Sequence, residues 1–345
     1  MKTRVLPLLL LALVLVTAAC TSSGSGTGSG DTAGGTAAAP STGASSSAAP
    51  SAPASTPAGT SAAPSTSSAG PTQTVRVSSL LSDGQTYGVG MPIVLFFSPM
   101  PTDSSAFTKA VKVTVDGQPV NGAWFWSQPT ADEVQSHTIE AHFRPQSYWP
   151  ADSKVHVDIP IGGLSAGKGL AYSGKLTSLD FNVGDKHLTL VNGTGEQMRV
   201  FSNDKLVRTI KVSLGAAKTP TFTGVKVVMQ KGEQAPGSSK LRPAGAVRMR
   251  GPGYDEIVDW SVRITRSGEY VHAAPWNSRI GQASTSNGCT NLTVDNAKWY
   301  YQFAQLGDVL KYSNTGGKPM PSWDGFGDWN VAWPVWQQGG LLKNH

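Results

Sequence analysis

The alternation of apolar and polar residues predicts a first β-rich region over residues 73–184. Val111, Val113 and Val115 alternate with polar neighbours and precede an Asp-Gly turn pair. Short runs of β-forming residues recur between such turn signals, at residues 74–78, 93–97, 110–115, 137–143, 154–159 and 178–183. Short strands at this spacing are typical of an immunoglobulin-like sandwich. We interpret the region as a positioning module that carries no chemistry.

A second β-rich region over residues 185–315 contains one well-marked helix. Predicted strands lie at residues 187–191, 197–201, 206–213, 224–229, 257–265 and 269–273. Thr293 is the expected N-cap of the helix, Asp295 favours its first turn, and Gly307 ends it. Its predicted buried face consists of Val294, Ala297, Tyr301 and Ala304. The predicted fold class is therefore mainly β, a sandwich followed by a β-rich domain with one main helix.

Composition separates these regions from the segment that precedes them. Residues 21–72 are 52 residues drawn from Gly, Ala, Ser, Thr and Pro, with Asp31 the sole exception. Such a segment cannot bury enough apolar area to offset its ordering entropy, so it is predicted to be a disordered tether. All 28 aromatic residues lie in residues 73–345. The composition excludes a disulfide scaffold, a coiled coil and a multipass membrane protein.

The net charge adds little to this picture. Lys and Arg number 28 against 22 Asp and Glu, which gives +6 over 345 residues. This balance is too weak for a nucleic-acid footprint, so no nucleic-acid partner is predicted. It fits ordinary solubility or a mild preference for an anionic surface.

The first 20 residues have the pattern of a bacterial lipoprotein signal. Lys2 and Arg4 precede an apolar run over residues 5–16, and two alanines stand directly before Cys20. Cleavage there would leave Cys20 as the lipidated first residue, and ordinary secretion is the alternative. The expected location is outside the cell, anchored by lipid to the outer face of the cytoplasmic membrane.

If Cys20 carries lipid, Cys289 has no partner for a disulfide. It lies in a stretch of small polar residues, whereas an inert buried cysteine usually lies in an apolar run. A nucleophilic thiol needs a base or a cation, and His272 ends a predicted strand nearby in the sequence. Backbone N–H groups around Gly288 and Cys289 are candidate donors to an oxyanion. One cysteine and one histidine are too few ligands for zinc, so no metal is predicted.

The spacing of these residues resembles a known family. His272 is followed by thirteen residues and then by Ser286-Asn287-Gly288-Cys289-Thr290-Asn291. The pattern of the same family is also matched at Pro275-Trp276, at residues 296–300, at residues 307–309 and at residues 328–333. The sequence resembles an L,D-transpeptidase with a YkuD-type catalytic domain, of the two-domain actinobacterial lipoprotein type, over residues 73 to about 342. The resemblance implies that residues 316–345 are a Trp-rich segment that packs on the catalytic domain.

The resemblance also implies roles and partners. Cys289 matches the nucleophile, His272 the general base and Tyr254 a tyrosine of the oxyanion site. The remaining oxyanion or substrate-binding positions are Ser286, Asn287, Gly288, Asn291 and Trp276. Such enzymes form 3→3 peptidoglycan cross-links, passing a tetrapeptide donor through a thioester to a diaminopimelate acceptor, and carbapenems acylate their thiol. No cofactor is implied, and the protein is expected to face the cell wall.

Four departures from the family pattern affect this prediction. Asn287 replaces the motif histidine, and Ala273 replaces the serine that commonly follows the base. Thr290 stands where an apolar residue is common. The spacing from His272 to the cysteine motif is one residue shorter than in the family pattern. Asparagine cannot carry a proton, so we expect weaker or more selective turnover. The alternative is a non-catalytic wall-binding lipoprotein that retains the fold. A general cysteine protease lacks support, because no papain-like signature is present.

A cationic loop over residues 230–253 occupies the position of the family's active-site lid. It holds five cations, Lys231, Lys240, Arg242, Arg248 and Arg250, against Glu233 as its one acid. It is either a solvated loop or a surface that attracts the carboxylates of stem peptides.

Overall fold

The computed structural model describes residues 70–71, 73–130, 137–232, 245–251 and 254–343. The predicted signal at residues 1–20, including Cys20, most of the predicted tether at residues 21–72, and the centre of the cationic loop lie outside the described residues. Among those that are described, no helix is both long and apolar enough to cross a membrane.

The first module consists of two packed β-sheets. Its elements are β1 Gln73–Ser79, β2 Thr86–Tyr87, β3 Ile93–Ser98, α1 Ser105–Ala110, β4 Lys112–Val115, β5 Gln118–Pro119, β6 Gly122–Ser127, β7 Ile139–Pro145, β8 Lys154–Asp158, β9 Ser165–Gly167, β10 Leu170–Tyr172 and β11 Ser178–Val183. The strand orders are β6-β7-β3-β1-β10-β9 and β2-β11-β8-β4-β5. Apolar side chains from both sheets form one buried core. The predicted sandwich is therefore confirmed.

Local sequence explains both an agreement and an error in this module. The Asp116-Gly117 pair makes the two-residue turn between β4 and β5, with φ of 49° and 78°. The strand predicted over residues 110–115 begins instead at Lys112, because α1 precedes it. Phe107 of that short helix is fully buried, 5.3 Å from the ring of Trp126. Burial of this aromatic ring favours a helix that includes Ala110, so the strand is confined to Lys112–Val115.

The second module carries three further sheets. Its elements are β12 His187–Asn192, β13 Gln197–Ser202, β14 Lys205–Lys211, β15 Gly224–Val227, β16 Gln230–Lys231, β17 Val247–Gly251, β18 Tyr254–Val258, β19 Val262–Arg263, β20 Tyr270–Ala273, β21 Thr290–Leu292, α2 Val294–Phe303 and β22 Val309–Ser313. The strand orders are β14-β13-β12-β22-β15, β16-β19-β20-β21 and the hairpin β17-β18. The prediction of a mainly β region with one main helix is confirmed.

Two local expectations in this module were wrong. The single strand predicted over residues 257–265 is broken between β18 and β19, where Trp260 adopts a left-handed φ of 55°. In α2, Thr293 occupies the N-cap position but makes no capping hydrogen bond through its side chain. The buried residues of α2 are Ala297 and Tyr300, whereas Val294 is exposed. Of the other predicted residues, Ala304 is buried and Tyr301 is half-buried, so the apolar face is rotated only in part from the predicted one.

The C-terminal segment connects the two modules. It contains a 3-10 helix, Gly327–Asn330, and α3 Trp333–Trp336. The side chain of Asn330 bonds both backbone groups of Val225 on β15, at 2.8 Å each. Further along, Trp126 of β6 accepts a backbone bond from Leu341 at 2.9 Å. The segment therefore packs on the second module, as the resemblance implies, and also on the first.

A buried histidine anchors this connection. His142 on β7 contacts Glu140 through Nε2 at 2.9 Å and Asp328 through Nδ1 at 2.7 Å. Burial opposes the charged imidazolium, but the two carboxylates outweigh it and raise the pKa of His142 to about 10. Burial likewise opposes ionisation of Glu140, and His142 with Thr130 lowers the pKa of that carboxyl to about 2. His142 and Glu140 are therefore both ionised at neutral pH.

Candidate active site

A cavity of about 410 Å³ opens on the second module and brings the predicted site residues together. The β17–β18 hairpin forms one wall, and the turn before β21 forms another. Its lining residues are Met249, Tyr254, Glu256, Val258, His272, Trp276, Asn277, Ser278, Arg279, Thr285, Ser286, Asn287, Cys289 and Asn291. Of the predicted site residues in the second module, only Gly288 does not line the cavity, because it is buried within the turn.

Two parallel strands bring the thiol and the imidazole to the same wall. His272 lies on β20 and pairs in register with Asn291 of β21. Cys289 is the residue immediately before β21. Because β20 and β21 are adjacent and run in the same direction, Cys289 and His272, which are seventeen positions apart in the sequence, line the same cavity.

His272 is held as a neutral base. Its Nδ1 lies 2.8 Å from the carbonyl oxygen of Ala273. A carbonyl can only accept, so Nδ1 carries the proton and Nε2 keeps its lone pair. The residue is only 4% exposed, and burial lowers the pKa of His272 to about 4. The imidazole is therefore unprotonated at neutral pH and can accept a proton at Nε2.

Cys289 is held as a neutral thiol. Its Sγ donates a long hydrogen bond to the carbonyl oxygen of Gly268, at 3.7 Å. Burial raises the pKa of Cys289 to about 11, and Glu269 adds to this rise, whereas the Tyr270 backbone and Lys226 oppose it. Across the described residues, no hydrogen bond joins Sγ to His272. The resting pair is therefore uncharged, in contrast to the expectation that a neighbouring imidazolium stabilises a thiolate.

The turn that carries Cys289 is held by its own serine. Ser286 Oγ donates to the Cys289 carbonyl oxygen at 2.6 Å and accepts the Gly288 N–H at 3.1 Å. Gly288 has a φ of +119°, a conformation that L side chains rarely adopt, so glycine is required there. The N–H of Gly288 is thus occupied, which leaves the N–H groups of Asn287 and Cys289 as the donors without an acceptor in the described part of the chain.

Two family models match the chain. The bacterial Ig domain model matches residues 36–165, and the L,D-transpeptidase catalytic domain model, YkuD, matches residues 186–311. The chain carries a YkuD L,D-transpeptidase catalytic domain behind a bacterial Ig domain. The YkuD match covers β12 to β21, α2 and part of β22, and so contains Cys289, His272 and Tyr254.

Mycobacterial relatives cover both domains. L,D-transpeptidase 2 of Mycobacterium tuberculosis (strain CDC 1551 / Oshkosh) is 31% identical over 259 residues, which are 74% of this chain and 60% of that protein. L,D-transpeptidase 5 of Mycobacterium tuberculosis (strain ATCC 25618 / H37Rv) is 31% identical over 275 residues, 78% of this chain and 57% of that protein. The chain therefore spans less than two thirds of the length of either relative.

A solved structure of an LD transpeptidase in complex with imipenem has a TM-score of 0.53 to this chain. Its sequence is 26% identical, and the match covers 68% of this chain and 97% of that one. An L,D-transpeptidase crystal structure from Mycobacterium tuberculosis H37Rv gives a TM-score of 0.51 at 26% identity, covering 68% and 96%. Both the Ig domain and the YkuD domain thus have structural relatives.

The remaining motif residues of the YkuD domain differ in how far they are exposed in the cavity. Asn287 is exposed, as is Trp276, whose ring centroid lies 6.2 Å from that of His272. Tyr254, at the start of β18, is half-buried in the opposite wall. Asn291 is buried, and within the described structure its Oδ1 has no hydrogen-bond partner. An unpaired buried amide oxygen in a cavity wall is a ready acceptor for a substrate N–H.

The described part of the cationic loop has partners of its own. Arg248 forms a two-point ion pair with Asp255 across the β17–β18 hairpin, at 2.7 Å for each bond, and Arg250 approaches the same carboxylate at 3.4 Å. Lys231 donates to the Ala304 carbonyl at 2.9 Å. These three cations are therefore engaged within the YkuD domain, and Lys240 and Arg242 lie outside the described residues.

Sequence reasoning missed a polar layer around the nucleophile turn. Lys226 of β15 and Glu269 form a buried ion pair, and the ammonium lies 3.8 Å from the ring centroid of Tyr312. Thr219 and Thr221 donate to carbonyl oxygens of the turn. A lysine within the short apolar strand at residues 224–227 was the one available signal, because a buried lysine needs a counter-ion.

Proposed function

We propose that the chain is a peptidoglycan L,D-transpeptidase that works through a thioester on Cys289. The observation that carries the proposal is the shared cavity of Cys289 and His272, in which His272 Nε2 is unprotonated. Both mycobacterial relatives are named L,D-transpeptidases, which supports the same reaction class. The proposed donor is a stem tetrapeptide, and the product is a 3→3 cross-link.

The first half-reaction is an acyl transfer to sulfur. His272 Nε2 takes the proton from the Cys289 thiol as Sγ attacks the carbonyl carbon between diaminopimelate and the terminal D-Ala. The negative charge that develops on the carbonyl oxygen is stabilised by turn N–H groups and by the Tyr254 hydroxyl. The C–N bond then breaks, His272 returns the proton to the leaving amine, and D-Ala departs.

The second half-reaction consumes the thioester. The side-chain amine of a second diaminopimelate loses a proton to His272 and attacks the thioester carbonyl. The C–S bond breaks, the thiolate recovers a proton, and a 3→3 amide remains. Because the resting pair is uncharged, each half-reaction creates the imidazolium only transiently, and the buried site then favours its return to neutrality.

Acylation by a carbapenem provides the decisive experiment. The chain from residue 70 onwards would be incubated with imipenem, and intact mass would be measured over time. We expect one adduct on the wild-type protein and none on Cys289→Ala. No adduct on a protein that is folded by circular dichroism would favour the non-catalytic wall-binding alternative. Turnover of a tetrapeptide with a diaminopimelate acceptor would then separate cross-linking from hydrolysis.

We also propose that the protein is exported and held by lipid on Cys20 at the outer face of the cytoplasmic membrane, facing the cell wall. The support is the sequence pattern of the first 20 residues. The test is the mass of the mature protein isolated from membranes, compared with that of Cys20→Ala. A diacylglyceryl mass increment on Cys20 is expected, and release of an unlipidated mature protein would instead indicate ordinary secretion.

A further inference from the structure

Two threonines that do not line the cavity form hydrogen bonds to the nucleophile turn. Thr221 Oγ1 donates to the Gly288 carbonyl oxygen at 2.8 Å and accepts the Gly215 N–H at 2.8 Å. Thr219 Oγ1 donates to the Ser286 carbonyl oxygen at 3.1 Å, and the Ala216 N–H donates to the same oxygen at 2.8 Å. Neither threonine lines the cavity.

These contacts fix the orientation of two peptide planes. In a trans peptide the C=O of one residue and the N–H of the next point in opposite directions. Because Thr221 holds the Gly288 carbonyl, the Cys289 N–H must point away from Thr221. By the same geometry, the bonds to the Ser286 carbonyl turn the Asn287 N–H away from Thr219.

The two N–H groups so oriented are those with no acceptor elsewhere in the described structure. Ser286, Asn287 and Cys289 line the cavity, whereas Thr219 and Thr221 do not. The intervening Gly288 N–H is occupied by Ser286 Oγ. The turn therefore carries two unoccupied donors, the N–H groups of Asn287 and Cys289, on residues that line the same cavity as the thiol.

We propose that Thr221, assisted by Thr219, is a positioning residue that fixes the Cys289 and Asn287 N–H groups as the oxyanion donors of the acyl-transfer reaction. This inference rests on the proposed function, and it assigns a task to a residue that touches neither substrate nor thiol. Thr221 is fully buried, and its hydroxyl is the only partner recorded for the Gly288 carbonyl in the described chain. Loss of the hydroxyl would let that peptide plane rotate.

The test separates oxyanion stabilisation from thiol reactivity. Imipenem acylation passes through a tetrahedral oxyanion, whereas alkylation by iodoacetamide displaces iodide at carbon and forms none. For Thr221→Val, which keeps the shape but removes the hydroxyl, we expect acylation to slow about 10- to 100-fold. Alkylation should stay within about twofold of wild type, and Thr221→Ser should restore acylation.

Matched variants complete the experiment. Thr189→Val removes another buried hydroxyl of the YkuD domain, one that contacts Tyr300 at 3.3 Å, and should change neither rate. Thr219→Val changes an exposed residue and should slow acylation about two- to fivefold, because Ala216 still holds the Ser286 carbonyl. This variant keeps the proposal testable if Thr221→Val does not fold.

Three results would overturn the inference. Normal acylation of Thr221→Val, or of Thr219→Val where only that variant folds, removes the positioning role. An equal fall of acylation and alkylation shows general damage to the turn. A wild-type protein that is alkylated but never acylated overturns the proposed function and the inference with it, and it is recognised without any variant.

Discussion

The ammonium of Lys226 and the carboxylate of Glu269 meet in the protein interior beside the turn that carries Cys289. The Glu269 carboxylate also accepts the Phe222 N–H at 2.8 Å, and it lies 3.8 Å from the position that a Cβ on Gly288 would occupy. Burial lowers the pKa of Lys226 and raises that of Glu269, so desolvation works against the charges that their attraction maintains. The pair joins β15 to the loop before β20.

Removing one member of this pair should be costly. For Lys226→Met we expect the free energy of unfolding to fall by about 3–5 kcal/mol, because a buried carboxylate loses its counter-ion. Urea denaturation measures this change. The double variant Lys226→Met with Glu269→Gln should recover part of the loss, since no unpaired charge remains. A double variant as unstable as the single one would contradict a charge-based explanation.

The uncharged resting pair predicts a distinctive pH dependence for alkylation of Cys289. With the pKa of the thiol raised to about 11 by burial, the iodoacetamide rate should be low at pH 7 and rise about tenfold per pH unit until well above pH 9. A cysteine in an unstructured peptide, with a pKa near 8.5, should reach its plateau earlier. A plateau already present at pH 6 would indicate a preformed thiolate–imidazolium pair.

Restoring histidine at position 287 should increase acyl transfer. Asn287 is exposed at the cavity, so the substitution Asn287→His introduces a titratable ring without disturbing the core. We expect single-turnover acylation to rise about tenfold, because imidazole can move a proton that an amide cannot. Asn287→Gln is the matched control and should have little effect. An unchanged or lower rate for the histidine variant would contradict this explanation of the motif.

A cation in the cavity wall predicts substrate selectivity. Arg279 is exposed there, its backbone N–H is held by Asn277 Oδ1 at 3.0 Å, and none of the described carboxylates pairs with it. For Arg279→Ala we expect KM to rise about tenfold for stems with a free carboxylate and to change little for amidated stems. Lys298→Ala, on α2, is the control. Equal KM changes for the free and the amidated stems would show that Arg279 does not bind the carboxylate.

The His142 cluster predicts how stability varies with pH. Because the folded pKa of His142, about 10, exceeds its ordinary value of 6.5, its contribution is complete below pH 6.5 and is lost as pH rises toward 10. Glu140 acts in the opposite direction, so its contribution is complete above pH 4.5 and is lost as pH falls toward 2. His142→Gln should cost about 3 kcal/mol near pH 6 and progressively less toward pH 10. A pH-independent difference in the free energy of unfolding would contradict this.

Sequence patterns predicted the strands in which buried and exposed residues alternate. The strand predicted over residues 178–183 has those bounds in the structure, and the strand at residues 187–191 extends by only one residue. The alternation of apolar and polar residues locates such strands, because one face of each strand is buried. The pairing of Cys289 with His272 was predicted from the small polar stretch around the cysteine and from the family resemblance, whereas β21, the strand that places Cys289 beside β20, was not predicted.

Interactions that depend on tertiary contacts were not predictable from one sequence. Nothing local marks Glu269 as the partner of Lys226, because 43 residues separate them. The threonine contacts on the turn arise from a loop about 67 residues earlier, and threonine is common in loops. The rotated face of α2 has the same origin, since Tyr300 is buried where the helix meets β12 and reaches Thr189.

The backbone bonds between Trp126 and residues 339–341 constrain the order in which the molecule is assembled. Trp126 lies on β6, the outermost strand of its sheet, and it bonds Gly339 and Leu341 at 2.9 Å each. Those partners are synthesised more than two hundred residues after β6. During synthesis, the Ig domain therefore keeps an open sheet edge, at which another chain can pair, until residues 339–341 are made.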